Sequence, residues 1–239
     1  MKKIVVASDS FKGSVSSIEV AECAELAIHK VFPDCEVVKI PVGDGGEGTV
    51  ETLITAMGGE AVSCVVHDPL MRSVEATYGI LGDNRTAVIE MATASGLTLV
   101  PVSERNPLRT TTYGTGELIK DAMDRGCRDF LIGIRGSATN DGGTGMLQAL
   151  GFRFLDRNGN ELGLGGQILN QIYEIDCSRA LSQLRETSFT IACDVNNPFY
   201  GEKGAAYVFA RQKGADDAMV RLLDEGLRNF AEVIKRTGR

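Results

Sequence analysis

Histidine is almost missing from this 239-residue chain: there are two, His29 and His67, and neither stands in a metal or nucleophile motif. A Ser-His-Asp hydrolase is thereby excluded, and any chemistry falls to carboxylates, lysine, hydroxyls and backbone amides. Long apolar runs are missing too. Nothing approaches the ~20 consecutive apolar residues of a membrane span. Met1-Lys2-Lys3 is followed only by Ile4-Val5-Val6-Ala7 before Ser8-Asp9, too short for a secretory leader. The expectation is a cytoplasmic protein with no membrane partner. The six cysteines, Cys23, Cys35, Cys64, Cys127, Cys177 and Cys193, form no C-x-x-C pair, and most lie in apolar runs, where reduced cysteine acts as a small hydrophobe. Positive charge is in deficit: 25 Lys and Arg against 32 Asp and Glu give a net charge of −7. That balance excludes the basic stripe of a nucleic-acid partner and leaves room for a small anion at a local site. No Walker A pattern occurs, so a nucleotide site here is not that of a P-loop enzyme.

What is present is a globular composition, 43% apolar, with a strong alternation of strands and helices. Lys3 to Ala7 is a β-branched run feeding a loop; Ser16 with Glu19 three residues later is a capping box that opens a helix ending before Pro33. Glu36 to Val42 is the next strand, followed by the loop Gly43 to Thr49 and a helix to Met57. Two strand–loop–helix units in succession predict parallel α/β structure. The middle of the chain differs. Ala61–His67, Val74–Leu81 and Thr86–Met91 are strand-like with short breaks, and Gly82-Asp83-Asn84 is a hairpin signal, so mixed or antiparallel pairing is expected there. Alternation then returns, with a helix from about Gly116 to Arg125, a strand Phe130–Ile134, a helix to Leu150, strands at Phe152–Leu155 and Ser188–Cys193, and a closing amphipathic helix from Asp217 to Ile234. No internal repeat is evident, and the change of character near residue 60 divides the chain into residues 1–60 and 61–239.

Glycine, 28 of 239 residues, is concentrated after strands and before helices, where free backbone amides suit phosphate or carboxylate. Gly43-Asp44-Gly45-Gly46-Glu47-Gly48 fits G-x-G-x-x-G with Asp68 ~20 residues on, the spacing of a dinucleotide fingerprint. Two carboxylates in that loop would repel a bare pyrophosphate, so the fingerprint reading is rejected in favour of a site for Mg²⁺ or a substrate hydroxyl; a plain tight turn is the alternative. The densest segment is Gly136-Ser137-Ala138-Thr139-Asn140-Asp141-Gly142-Gly143-Thr144-Gly145, in which the Ser137, Thr139 and Thr144 hydroxyls and the backbone amides could hold an anion, with Asp141 at a helix start. Asp9, Ser10 and Lys12 follow the first strand, at the position where open α/β sheets bind ligands. Arg109 to Glu117, with Thr115, and Cys193 to Pro198, with Asp194, are further strand-end or helix-start segments.

Ala7-Ser8-Asp9-Ser10-Phe11-Lys12-Gly13, Pro41 to Thr49, Thr112 to Ile119, Gly136 to Gly145, Cys193 to Pro198, Gly204-Ala205-Ala206 and Gln212-Lys213-Gly214-Ala215 together resemble the motif set of bacterial ATP-dependent glycerate kinases, in order and over the whole chain. The resemblance implies two α/β lobes with a cleft between them, a Rossmann-like parallel sheet in the first and a mixed sheet in the second. It implies transfer of the ATP γ-phosphoryl group, with Mg²⁺, to a hydroxyl of D-glycerate. On that basis Asp44 or Asp141 is the expected base, Glu47 and Asp194 are alternatives for metal or hydroxyl contacts, Lys12 lies on phosphate, and Arg72 or Arg109 pairs with the substrate carboxylate. Gly43, Gly45, Gly46, Ser137, Thr139, Asn140, Gly142, Gly143 and Thr144 line the ligands. Arg211 stands where the family has proline. The family also runs on past the Thr237-Gly238-Arg239 end in a Gly/Ala-rich segment that completes the first sheet; the strands near Ile4 and Val38 are therefore expected to show exposed edges and apolar surface. An inactive fragment that at most binds ligand is the alternative to an active kinase.

Overall fold

The computed structural model describes residues 3–9, 11, 14–41, 46 and 48–237. The N-terminal β-branched run forms β1 (Lys3–Ser8), which pairs in parallel with β2 (Glu36–Pro41), Lys3 opposite Glu36 and Ser8 opposite Pro41. The crossover that a parallel pair needs is α1 (Ser17–Val31). It opens on the predicted capping box: the Glu19 amide donates to Ser16 Oγ at 3.2 Å, and the Ser16 amide donates to the Glu19 carboxylate at 2.8 Å. Val5 and Ile40 remain 55% and 47% exposed, and among the described residues no third strand joins this sheet, so its apolar surface meets water as expected.

The chain then crosses to a second sheet through α2 (Thr49–Met57), whose Val50, Leu53 and Ile54 pack on Leu81, Val88 and Leu131. That sheet begins with β3 (Gly59–His67), β4 (Ser73–Leu81) and β5 (Thr86–Glu90), antiparallel to one another in turn. The β4–β5 turn is the predicted hairpin: Asn84 takes a positive φ of 54°, and the Asp83 carboxylate accepts the Arg85 and Thr86 amides. Next come α3 (Ala92–Ser95), α4 (Tyr113–Asp124), β6 (Asp129–Gly133), α5 (Thr144–Ala149), the small antiparallel pair β7 (Arg153–Leu155) and β8 (Glu174–Asp176), β9 (Ser188–Ala192), α6 (Ala205–Phe209) and α7 (Asp217–Arg236). The second sheet has the order β3-β4-β5-β6-β9, with β5, β6 and β9 parallel. The expected fold class, a parallel first sheet and a mixed second one, is what forms.

Two apolar cores hold the elements. Tyr78, Ile89 and Phe130 from the sheet meet Leu118, Ile119 and Met123 of α4, all at 2% exposure or less. Val220, Leu223, Leu227, Phe230 and Val233, at helical spacing along α7, close over Phe154, Ile168 and Leu169. At ~1.5–3 kcal/mol for each such side chain buried, these contacts fix α4 and α7 in place. Asp216 caps α7 by accepting the Met219 amide at 2.8 Å. Parallel β5, β6 and β9 bring Glu90, Gly133 and Ala192 to a common edge, and the antiparallel steps put the end of β3, at His67, on that edge too.

Candidate active site

The carboxyl ends of β5, β6 and β9 form one edge of the second sheet. Glu90, 7% exposed at the end of β5, accepts the Val50 amide at 2.8 Å and so supplies from β5 an acceptor for the first turn of α2. Beside it opens a cavity of about 580 Å³, lined among others by Phe11, Ser14, Gly48, Glu51, Glu90 and Thr93. Its walls come from the segment after β1, the start of α1, α2 and the strands β3, β4 and β5, and its size suits a small ligand.

Behind β6 the glycine-rich segment is organised around its own acid. Asp141, 1% exposed, accepts the Thr112 amide and hydroxyl, both at 2.8 Å, the Gly145 amide at 3.3 Å and the Thr111 hydroxyl at 3.5 Å on Oδ2, and the Gly143 amide at 3.1 Å on Oδ1. Four of the five converge on Oδ2 and one on Oδ1, so internal donors hold both oxygens of this buried carboxylate. Gly142 and Gly143, at φ of +61° and +81°, make the turn that allows it; a Cβ on Gly145 would stand 2.0 Å from Thr111 Oγ1. The first amides of α5 are therefore occupied from inside: Gly143 and Gly145 by Asp141, and Met146 by Thr112 Oγ1 at 2.9 Å.

The outer part of the same segment meets a buried lysine. Lys213, 7% exposed, follows α6 and donates from Nζ to Ser137 Oγ at 2.7 Å and to the Thr139 carbonyl at 2.5 Å. Burial pushes its ammonium down to about 8, against a smaller opposing effect of Asp141. Thr139 and Asn140 are 5% and 7% exposed, yet neither the Thr139 hydroxyl nor the Asn140 amide has a hydrogen-bond partner among the described residues. The Lys213 ammonium, bonded to the Thr139 carbonyl and followed along that segment by Asn140, makes this stretch after β6 a place that favours negative charge.

A family model for the glycerate kinase family matches residues 4–239. The chain belongs to that family. It is 53% identical to a glycerate kinase of Bacillus subtilis (strain 168) and 51% identical to a glycerate 2-kinase of Escherichia coli (strain K12), in each case over 98% of this chain. A crystal structure described as a glycerate kinase 2 from Salmonella typhimurium LT2 matches with a TM-score of 0.91 at 48% identity, again over 98% of this chain. The chain spans 61% of the length of the two curated relatives and 63% of that crystallised chain.

Within this member of the glycerate kinase family the candidate residues fall into distinct settings. Ser137, Thr139, Asn140, Gly142, Gly143 and Thr144 share one segment, but the Thr144 hydroxyl donates inward to the Asp141 carbonyl at 2.9 Å. Thr115 is buried against Ser95, their hydroxyl oxygens 2.7 Å apart, inside the protein. Arg72, a candidate for the substrate carboxylate, is already committed: Nε donates to Asp68 at 2.8 Å, one Nη to Glu104 at 3.0 Å and the other to the Leu99 carbonyl at 3.3 Å. Asp68 in turn accepts the Leu70 and Arg72 amides, which removes the last requirement of a dinucleotide fingerprint. Arg109 is exposed and its guanidinium has no partner among the described residues, while the adjacent Thr110 donates to the Ala138 carbonyl at 2.8 Å. Asp194, at the end of β9, pairs with Arg135 at 3.0 Å. Asp9 is half-buried after β1 and Gly46 is buried. Ser10, Lys12, Gly43, Asp44, Gly45 and Glu47 lie outside the described residues.

Sequence reasoning missed Lys213, Glu90 and Arg135. Glu90 had a signal, a carboxylate closing the apolar strand Thr-Ala-Val-Ile-Glu. Lys213 lay in a quoted motif, but nothing local shows that its side chain is buried. Among the described residues no three His, Cys, Asp or Glu side chains gather as a metal cluster, and no helix is long and apolar enough to cross a membrane.

Proposed function

We propose that this chain transfers the γ-phosphoryl group of ATP to a hydroxyl of D-glycerate, giving phosphoglycerate and ADP. The observation that carries the reading is the gathering of donor groups (Lys213, Asn140, Thr139) and acids (Glu90, Asp194) along one strand-end edge, in a chain of this family. Phosphoryl transfer needs little covalent help from protein; it needs alignment and charge neutralisation, which such an edge supplies. The hydroxyl oxygen forms a bond to the γ-phosphorus as the bond from phosphorus to the β,γ-bridging oxygen breaks. ADP departs with that electron pair, and the hydroxyl proton passes to a carboxylate.

We assign that carboxylate to Asp44, because Asp141 is 1% exposed and internal donors hold both its oxygens. Lys12 pairs with phosphate, Asp9, Ser10 and the Gly43–Gly48 loop border the ligands, and Arg109, whose guanidinium is unengaged, pairs with the glycerate carboxylate. Mg²⁺ arrives on the nucleotide and asks for only one or two protein carboxylates; Asp194, 47% exposed and with Oδ1 unpartnered among the described residues, fits that need, and Glu47 is the alternative. Bound there, the ion would neutralise charge on the phosphates. The lobes, residues 1–60 and 61–239, flank the ligands in the cytoplasm with no membrane or nucleic-acid partner.

The test is ADP release by the purified chain in the presence of ATP and Mg²⁺, with and without D-glycerate. Release that depends on D-glycerate supports the reading. A folded protein that releases no ADP, or releases it equally without the acid, overturns it.

A further inference from the structure

A buried ammonium normally sits against a carboxylate, because an unpaired charge in the interior costs several kcal/mol. Lys213 does not. Its two acceptors are neutral, the Ser137 hydroxyl and the Thr139 carbonyl, and the acid that acts on it, Asp141, has both oxygens bonded by Thr111, Thr112, Gly143 and Gly145. Of the three ammonium protons, one is left over. The lysine is also held in place: Gly214 takes a φ of +96° and its Cα lies so close to Arg105 that a Cβ would stand 2.3 Å from the Arg105 carbonyl oxygen. Thr139, whose carbonyl the lysine holds, and Asn140 after it are residues more than nine-tenths buried, and the Asn140 amide and Thr139 hydroxyl have no hydrogen-bond partner among the described residues. Gly136 is exposed and Ser137 half-buried, which leaves an opening to solvent on this side. Charge, two unfilled donors and an opening match one kind of guest, an oxyanion.

We infer that Lys213, with the Asn140 amide and the Thr139 hydroxyl, forms a receptor for an anionic oxygen group of a ligand, either the carboxylate of the acid substrate or a phosphate of the nucleotide. The inference rests on the phosphotransfer reading only for this choice of ligands; the receptor itself is a matter of binding. The charged groups that face Lys213 or its turn are Asp141 on the glycine-rich segment, Arg105 against Gly214, and Arg211 on the lysine's own turn, which is paired with Asp217 of α7 at 2.7 Å. An anion binds the protonated lysine, so affinity must fall as pH rises past the free lysine's value of about 8. From pH 7.5 to 9.5 the expected fall is up to roughly twentyfold.

Calorimetric titration of the purified chain with D-glycerate alone, Mg-ADP alone and inorganic phosphate alone, at pH 7.5 and 9.5, tests this without any turnover. The wild type should lose at least about tenfold in affinity for one ligand class over that range, and Lys213→Met should bind that class at least tenfold more weakly at pH 7.5 with no remaining pH dependence. Loss confined to D-glycerate assigns the receptor to the carboxylate; loss for Mg-ADP and phosphate assigns it to the nucleotide. Asn140→Asp is the second variant, since it puts an internal anion beside Lys213: it should fold and lose the same ligand class. Should Lys213→Met fail to fold, the wild-type pH dependence and Asn140→Asp decide. Wild-type affinities that are flat with pH, or no binding of any of the three, overturn the inference, as do variants that bind all three as the wild type does. A chain that shows the receptor but transfers no phosphoryl group would refute the kinase reading and leave this one standing.

Discussion

Asp141→Asn keeps the shape of the side chain and exchanges one oxygen for a donor nitrogen. Oδ2 receives the Thr112 amide and hydroxyl, the Gly145 amide and the Thr111 hydroxyl, whereas Oδ1 receives only the Gly143 amide. The least damaging placement of asparagine turns its nitrogen toward Gly143, losing that bond and setting two donors face to face; the other placement disrupts four. A buried donor left unsatisfied costs ~1–3 kcal/mol, and the remaining bonds lose their charge assistance. The total is about 2–4 kcal/mol, which in a domain of this length lowers Tm by roughly 5–15 °C. Asp141→Ala strands the Gly143, Gly145 and Thr112 amides together and should fall further. Thermal unfolding followed by circular dichroism reads both. Asp141→Asn with an unchanged Tm and abolished turnover would refute this account, because it would make Asp141 a base and not an internal bracket.

Gly145→Ala should cost about 3 kcal/mol, since its Cβ would meet Thr111 Oγ1 at 2.0 Å and the Tyr113 amide nitrogen at 2.9 Å; Gly163→Ala, with nothing within 4 Å, should leave Tm unchanged. Because the Lys213 ammonium lies at about 8 in the folded chain and near the ordinary lysine value of 10.5 when unfolded, the unfolded chain binds more protons between those values, and stability from this group rises with pH across that window, by up to roughly 3 kcal/mol. Urea unfolding of wild type and Lys213→Met from pH 7.5 to 10 should show their difference growing in favour of the wild type; a constant difference refutes it. The Asp176 carboxylate is held down to about 2 by the Ser178 amide first, then by the Ser178 side chain and Arg153, so its contribution is complete above about pH 4 and is lost as pH falls through 2. Asp176→Asn should therefore unfold with a shallower acid dependence in that range.

Periodicity carried far into the fold. The α1 capping box, the hairpin at Gly82-Asp83-Asn84 and the stripe of α7 are local patterns, and each formed within a few residues of its expected place. β8 and α6 went unseen because they are three and five residues long, too short to show a period. The motif set carried the family. The partition of roles inside the motifs was less legible, since which groups face each other depends on long-range contacts. Asp141 looked like an available acid until Thr112, 29 residues away, was placed on it; Arg72 looked like a free cation until Glu104 and Leu99 closed around its fork. Lys213 reaches Ser137 across 76 positions, a contact that no local spacing encodes.

Phosphoryl transfer to a hydroxyl of an acid is the activity proposed for this strand-end edge. Phosphorus NMR of the purified chain with ATP, Mg²⁺ and D-glycerate tests it most directly, because it separates transfer from hydrolysis. The account predicts a phosphate-monoester resonance of phosphoglycerate growing in step with ADP, lost in Asp44→Asn. Inorganic phosphate as the sole product, or no change in the ATP resonances from a chain shown to be folded in the same sample, would contradict it.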